Sequence, residues 1–414
     1  DIPPLTIFER LLQETGEREI STTQALVQAM TLLCKDKNIG QRVVPIVPDE
    51  ARTFGMEGMF RQIGIYAHEG QKYEPVDRDQ LMYYKENQSG QLLEEGITED
   101  GAMSSWIASA TAYSNSGMQM IPFYIFYSMF GFQRIGDLVW AAGDMQARGF
   151  LIGATSGRTT LNGEGLQHED GHSQIMAGNV PNCVSYDPTF SHELMVIMQN
   201  GMERMFKKQE NVFYYITTMN ENYSHPGLSK GQEKNIVKGM YLLQKAKKGE
   251  TRVQLFGSGS ILREAIAAAD LLSADFKVEA DIWSCTSFNQ LKRDGDDVSR
   301  WNMLHPDKKP KMSHVEKCLL DTDGPVVAAT DYVKLFADQI RAYVPRSYSV
   351  LGTDGFGRSD SRQALRKHFE VDRYFIAVAA LNALVEDGRV SSKTVKDAIK
   401  KYGIDPNKNN PLMS

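Results

Sequence analysis

The chain has 414 residues, 42% of them hydrophobic and 24% charged, with a formal net charge of −6. At roughly 100–200 residues per domain this length implies two or three globular domains, and the acidic balance excludes a general nucleic-acid surface. No apolar run approaches the ~18 residues of a membrane span, and the charged first twenty residues lack a signal-peptide pattern. The four cysteines, Cys34, Cys183, Cys285 and Cys318, have no CxxC spacing, which indicates neither a zinc site nor a disulfide framework but reduced, buried thiols. The start at Asp1, followed by Ile2-Pro3-Pro4, reads like an interdomain linker in a piece of something longer.

In chain order, residues 21–36 are expected to form a helix: Ser21 and Gln24 have capping-box spacing, and Ala25, Leu26, Ala29, Met30 and Leu33 make one apolar face. Arg42 to Val47 reads as a buried strand that delivers Asp49 and Glu50 at its C-terminal end. The polar stretch 69–90 reads as a long loop. Glu99 stands where an apolar run meets a glycine turn, just before a helix expected over 102–112. An aromatic segment over 120–135 precedes a helix expected over 137–148 and strands at 150–153 and 211–217. After a charged stretch at 225–250 the alternation restarts, with strands at 252–256, 278–284, 326–329 and 347–351 and helices at 261–272, 374–386 and 392–402. Strands alternating with helices imply two α/β domains with mostly parallel, doubly covered sheets and a boundary near 225–250.

Several segments carry chemistry-bearing residues. The polar, glycine-rich run 159–172 follows a strand, where ligands sit in an open α/β sheet, and His168 beside acids suits proton transfer. The alternative is a hydrogen-bonded loop histidine. His168 and His172 have metal-ligand spacing only on a helix, which Gly171 disfavours. Gly257-Ser258-Gly259-Ser260 has leucine at 262 where a GxGxxG loop needs glycine, so it reads as a tight strand-to-helix turn. Gly352 to Asp360 is a second glycine turn with polar tips. Phe123, Tyr124, Phe126, Tyr127, Phe130 and Phe132 read as core, although Tyr127 and Phe130, three apart, would form a stacking platform for a flat ring.

Gly96-Ile97-Thr98-Glu99 resembles the Gly-Ile-x-Glu signature of thiamine-diphosphate enzymes. Together with residues 49–58, 123–140, 157–172, 217–223 and 351–360, it makes the chain resemble the homodimeric type of pyruvate dehydrogenase decarboxylase component. The resemblance implies a transketolase-like fold: a pyrimidine-binding domain over 1–225 and a transketolase C-terminal-like domain over 226–414. It further implies that Glu99 hydrogen-bonds the aminopyrimidine, that Ile97 presses the cofactor into its bent form, and that Phe130 stacks on the ring. His168, Tyr127 and Glu50 would face the thiazolium and the substrate, and the loop around 69–85 would be a mobile lid. The implied reaction is decarboxylation of pyruvate, with the acetyl unit passed to a lipoyl group of the acetyltransferase component. No Gly-Asp-Gly occurs in the chain, so the magnesium and diphosphate ligands are expected on a diphosphate-binding domain outside these residues, none of which is itself expected to bind metal. The chain would then hold half of an active site, completed across a homodimer in the cytoplasm, with no nucleic-acid or membrane partner. Two alternatives stand beside this: the C-terminal half of a transketolase-like enzyme, and a non-catalytic assembly fragment.

Overall fold

A computed structural model describes residues 2–48, 51–247 and 249–414. They form two compact units, one of residues 1–156, 176–185 and 190–229, the other of 157–175, 186–189 and 230–414.

The first unit is built on a six-stranded sheet in the order β2-β1-β3-β4-β6-β5. Its strands are β1 (Val43–Val47), β2 (Leu93–Glu94), β3 (Ile121–Phe126), β4 (Phe150–Ala154), β5 (Cys183–Tyr186) and β6 (Phe213–Thr218). The pairings β1–β2, β1–β3, β3–β4 and β4–β6 are all parallel. Every residue of β1, β3, β4 and β6 is buried, which is why they read as continuous apolar runs and not as alternating ones. Stacked rings lock the registers: Phe123 lies opposite Phe150 with centroids 4.6 Å apart and planes at 8°.

Helices α1 (Thr22–Cys34), α2 (Glu99–Ala110), α3 (Phe132–Asp144) and α4 (Ser191–Met202) belong to this unit. Ser21 caps α1 by accepting from the Gln24 amide, as its spacing predicts. Two helix starts differ from the sequence reading. α2 begins at Glu99, three residues early, because Thr98 caps it and an acidic first turn, Glu99-Asp100, suits the positive end of the helix dipole. α3 begins at Phe132, not 137, since Phe132 and Ile135 already supply its buried face. α4 left no periodic signal in the sequence: it is buried almost all round from Ser191 to Met198, so no polar stripe marks its period.

The polar stretch 69–90 is mostly loop, but Glu86–Asn87 pair in parallel with Ile65–Tyr66. Arg52 pairs with Asp77, and the Tyr84 amide donates to Asp77 Oδ2 at 3.0 Å.

The second unit carries a five-stranded sheet in the order β11-β10-β8-β9-β7. The strands are β7 (Tyr241–Gln244), β8 (Thr251–Gly257), β9 (Val278–Ser284), β10 (Val326–Ala329) and β11 (Tyr348–Leu351). The β8–β9, β8–β10 and β10–β11 pairings are parallel, while β7 is an antiparallel edge strand beside β9. β7 and a short helix at Glu233–Lys238 both lie in the stretch read as a charged separator. Gly257 to Ser260 is the tight turn into α5 (Ile261–Phe276), with Gly259 at φ +51°. α6 (Phe288–Leu304) also escaped the sequence reading, being polar over most of its surface. α7 (Arg373–Glu386) packs on α5, and α8 (Ser392–Lys401) packs on α7. Phe256, Trp283, Phe288, Tyr332 and Phe336 fill the core.

Of the cysteines, Cys183 and Cys285 are buried, Cys34 and Cys318 are half-buried, and all four are free. Among the described residues no helix is long and apolar enough to cross a membrane.

Candidate active site

The parallel strands β2, β1 and β3 end on one edge of the first sheet, and chain order steps outward from β1 in both directions, to β2 and to β3. Such a switch point is where open α/β sheets bind ligands. The loops leaving these ends carry Ile97 and Glu99 after β2, and Tyr127 and Phe130 after β3. Glu50 follows β1 but lies outside the described residues. Its neighbour Ala51 is held in place, its amide donating to Glu94 Oε1 at 2.9 Å.

Glu99 owes its position to the start of α2. Thr98 Oγ1 accepts from the Gly101 amide at 3.2 Å, and the Tyr124 hydroxyl donates to the Glu99 carbonyl at 3.2 Å. Burial, followed by the nearness of Glu99, pushes the Tyr124 phenol up, so it stays a donor. Thr98→Ala is expected to cost about 1 kcal/mol of stability, the usual value of a lost N-cap, read as a lower unfolding midpoint of the first unit.

The Glu99 side chain is only 14% exposed and pairs with Arg134 Nη1 at 2.8 Å. The Arg134 guanidinium also lies over the Phe130 ring, 4.0 Å from its centroid. Tyr127 and Phe130 do not share an α-helical face. Tyr127 precedes a short 3-10 turn, Ser128–Phe130, which still sets their rings edge to face at 6.1 Å. Phe54 extends the aromatic group, 5.4 Å from Tyr127. Ile97, two residues before Glu99, is 84% exposed, an apolar side chain with little protein cover. An uncovered aliphatic wedge, an aromatic cluster and a carboxylate beyond strand ends fit a flat, basic heteroaromatic ring such as an aminopyrimidine. Arg134 is the member the sequence reading did not place there. Its signal was faint, an arginine four residues after Phe130.

His168 belongs to the second unit. It ends a short 3-10 turn, Leu166–His168, with Nδ1 3.3 Å from Glu164 Oε2. His172 is not on the same helix: Asp170 Oδ1 accepts from the His172 and Ser173 amides, both at 2.9 Å, and a new helix starts there. Among the described residues no group of three or more His, Cys, Asp or Glu is placed to hold a metal ion. Asp331 anchors the start of this segment, accepting from the Thr159 amide at 2.9 Å and from the Thr160 hydroxyl at 2.6 Å.

The chain is similar to known proteins in sequence and fold. Residues 6–226 match the family model of the pyruvate dehydrogenase E1 component middle domain, and residues 239–372 match that of the transketolase-like TK C-terminal domain. Proteins named pyruvate dehydrogenase E1 component are similar to the chain: that of Cupriavidus necator is 62% identical over 99% of the chain and 46% of its own length. The Escherichia coli K12 protein is 58% identical over the whole chain and 47% of its own length. The chain thus spans about half the length of the curated relatives it matches. Among solved structures, transketolase from Leishmania mexicana superposes with a TM-score of 0.65 at 15% identity over 93% of this chain and 48% of that one. A structure described as a split gene transketolase, an inactive beta4 tetramer, is covered over 98% of its length by 88% of this chain, with a TM-score of 0.57 at 14% identity. The fold is transketolase-like, and the chain belongs to the pyruvate dehydrogenase E1 component family.

Proposed function

We propose that this chain supplies the pyrimidine-side half of a thiamine-diphosphate site that decarboxylates pyruvate and passes the acetyl unit to a lipoyl group on an acetyltransferase partner. The observation that carries the reading is the grouping of Ile97, Glu99, Tyr127 and Phe130 beyond the ends of β2 and β3. When bound, thiamine diphosphate supplies the nucleophilic carbon and the electron sink. Glu99 would hold a proton at the pyrimidine nitrogen, Ile97 would support the cofactor from below, and Phe130 would orient the ring. Tyr127, Glu50 and His168 would serve the substrate, excluding water and placing protons. In acetyl transfer the lipoyl disulfide is reduced as the two-carbon unit is oxidised, and His168 would protonate the departing sulfur or stabilise the intermediate.

In this reading residues 1–225 form the pyrimidine-binding domain and 226–414 the C-terminal domain. Magnesium and diphosphate are held by a separate diphosphate-binding domain, the site is completed across a homodimer, the loop at 69–85 is its lid, and the enzyme works in the cytoplasm. A second reading, a unit that is non-catalytic by itself, is favoured by the split gene transketolase, a structure of nearly the same extent described as inactive.

Calorimetric titration with thiamine diphosphate and magnesium, of this chain alone and then with a separately produced diphosphate-binding half, tests both. Binding only with the partner present is expected. Tight binding by the chain alone would place the diphosphate site within these residues and overturn the split. No binding in either case would favour the non-catalytic reading.

A further inference from the structure

The residue after His168 has an environment that its sequence does not announce. Glu169 is fully buried. Its Oε2 accepts the Arg358 amide at 2.6 Å, while Oε1 is buried without a hydrogen-bond partner among the described residues. The backbone of the glycine turn 352–360 rests directly on this side chain: a Cβ at Gly357 would fall 2.8 Å from Glu169 Cβ and 3.0 Å from Oε2. Arg158, also buried, binds the same two segments from the other side. Its Nε donates to the Glu169 carbonyl at 3.4 Å, and its Nη1 donates to the Thr353 carbonyl at 2.5 Å and to the Gly355 carbonyl. The segment ending in His168 is therefore clamped to the glycine turn by one buried cation and one buried acid.

The charged groups facing the Glu169 carboxyl are Asp331 and Arg158, with the Arg358 amide as its hydrogen-bond donor. Burial pushes the carboxyl up to about 7, Asp331 adds to that, and the Arg358 amide and Arg158 oppose it. An ionised carboxylate accepts an amide about twice as strongly as a neutral acid does. The clamp is tight when Glu169 is ionised and looser when it is protonated.

We propose that Glu169 is a positioning residue: through its buried contact with Gly357 and the Arg358 amide it holds the segment that ends in His168. The proposal rests on the role given to His168 above.

In the complete enzyme, acetylation of a free lipoyl domain is expected to rise three- to tenfold between pH 6 and 8, roughly the span between a neutral and a charge-assisted hydrogen bond. Glu169→Gln is expected to flatten that rise at the low-pH level and to lower lipoyl acetylation more than decarboxylation measured with an artificial acceptor. The Arg358 amide shift, followed by NMR, is expected to show an inflection near pH 7 that Glu169→Gln removes. Stability moves the opposite way. A raised carboxyl pKa contributes stability that is complete below the ordinary value of 4.5 and lost as pH rises through about 7, so Glu169→Gln should unfold at a higher temperature than the parent at pH 8. Gly357→Ala keeps the acid but pushes the turn off it. It should weaken the Arg358 amide inflection and lower lipoyl acetylation at every pH.

No inflection at Arg358 between pH 6 and 8, or a Glu169→Gln enzyme whose pH profile matches the parent, would overturn the proposal. If His168→Ala leaves lipoyl acetylation intact while the Arg358 inflection still depends on Glu169, the reading of His168 fails and the Glu169 clamp stands.

Discussion

Glu99→Gln in the enzyme assembled with its diphosphate-binding half is expected to lower pyruvate turnover roughly 10²–10³-fold, within the usual worth of a positioned proton-transfer group. Glutamine keeps the shape of the carboxyl and offers a hydrogen-bond donor, but it cannot give or take a proton at the pyrimidine nitrogen. Folding should barely change. The pair with Arg134 joins a largely shielded carboxylate to a cation that is 50% exposed, and such pairs contribute little. The acidic first turn of α2 keeps Asp100, so the loss of dipole stabilisation is a few tenths of a kcal/mol. The separation between activity and stability is the diagnostic part. Turnover is measured with an artificial electron acceptor, and thermal unfolding is followed on the same sample. Near-normal turnover would remove Glu99 from the reaction, while equal loss of both would make it a structural residue.

The parts of this fold that were legible in the sequence are those whose physics is local. Val278–Ser284 and Val326–Ala329 form strands at the expected positions because Val278, Ile282-Trp283 and Val326-Val327 put β-branched and aromatic residues into short segments. The start of α2 was misplaced because Glu99-Asp100-Gly101 reads as a turn until Thr98 is seen to cap it. α4 and α6 were missed for opposite reasons: one has no polar face and the other little apolar face, and periodicity needs both. Ile97, Glu99, Tyr127 and Phe130 were accessible through a short motif and an aromatic spacing. Arg134 and Glu169 were not, because what matters about each is a partner far along the chain, Glu99 thirty-five residues away and Arg358 one hundred and eighty-nine. Nor does an acid in a polar loop reveal from composition that it is buried.

Phe150→Ala is expected to destabilise the first unit by about 3–5 kcal/mol, the cost of removing a large aromatic from a core that closes only partly. Phe150 is fully buried in β4, stacked on Phe123, with Tyr214 5.7 Å away on the neighbouring strand. A Cβ on Gly201 of α4 would come within 2.8 Å of its ring, so that helix packs its backbone directly on the face that would be emptied. Trp106 Nε1 donates to the Phe150 carbonyl at 3.0 Å, tying α2 to the same point. Few compensating movements are open to three elements pinned around one ring, which argues for the upper part of the range. The loss is a large share of the 5–15 kcal/mol typical of a domain. Two compact units need not unfold together, so denaturant unfolding should be followed by Trp106 fluorescence for the first unit and by Trp283 for the second. The Trp106 transition should move to lower denaturant while that of Trp283 moves less. β4 also supports β3, whose end carries Tyr127 and Phe130, so thiamine diphosphate binding in the assembled enzyme should weaken along with stability. An unmoved Trp106 transition would mean that the Phe123–Phe150 stack is not what holds this sheet together.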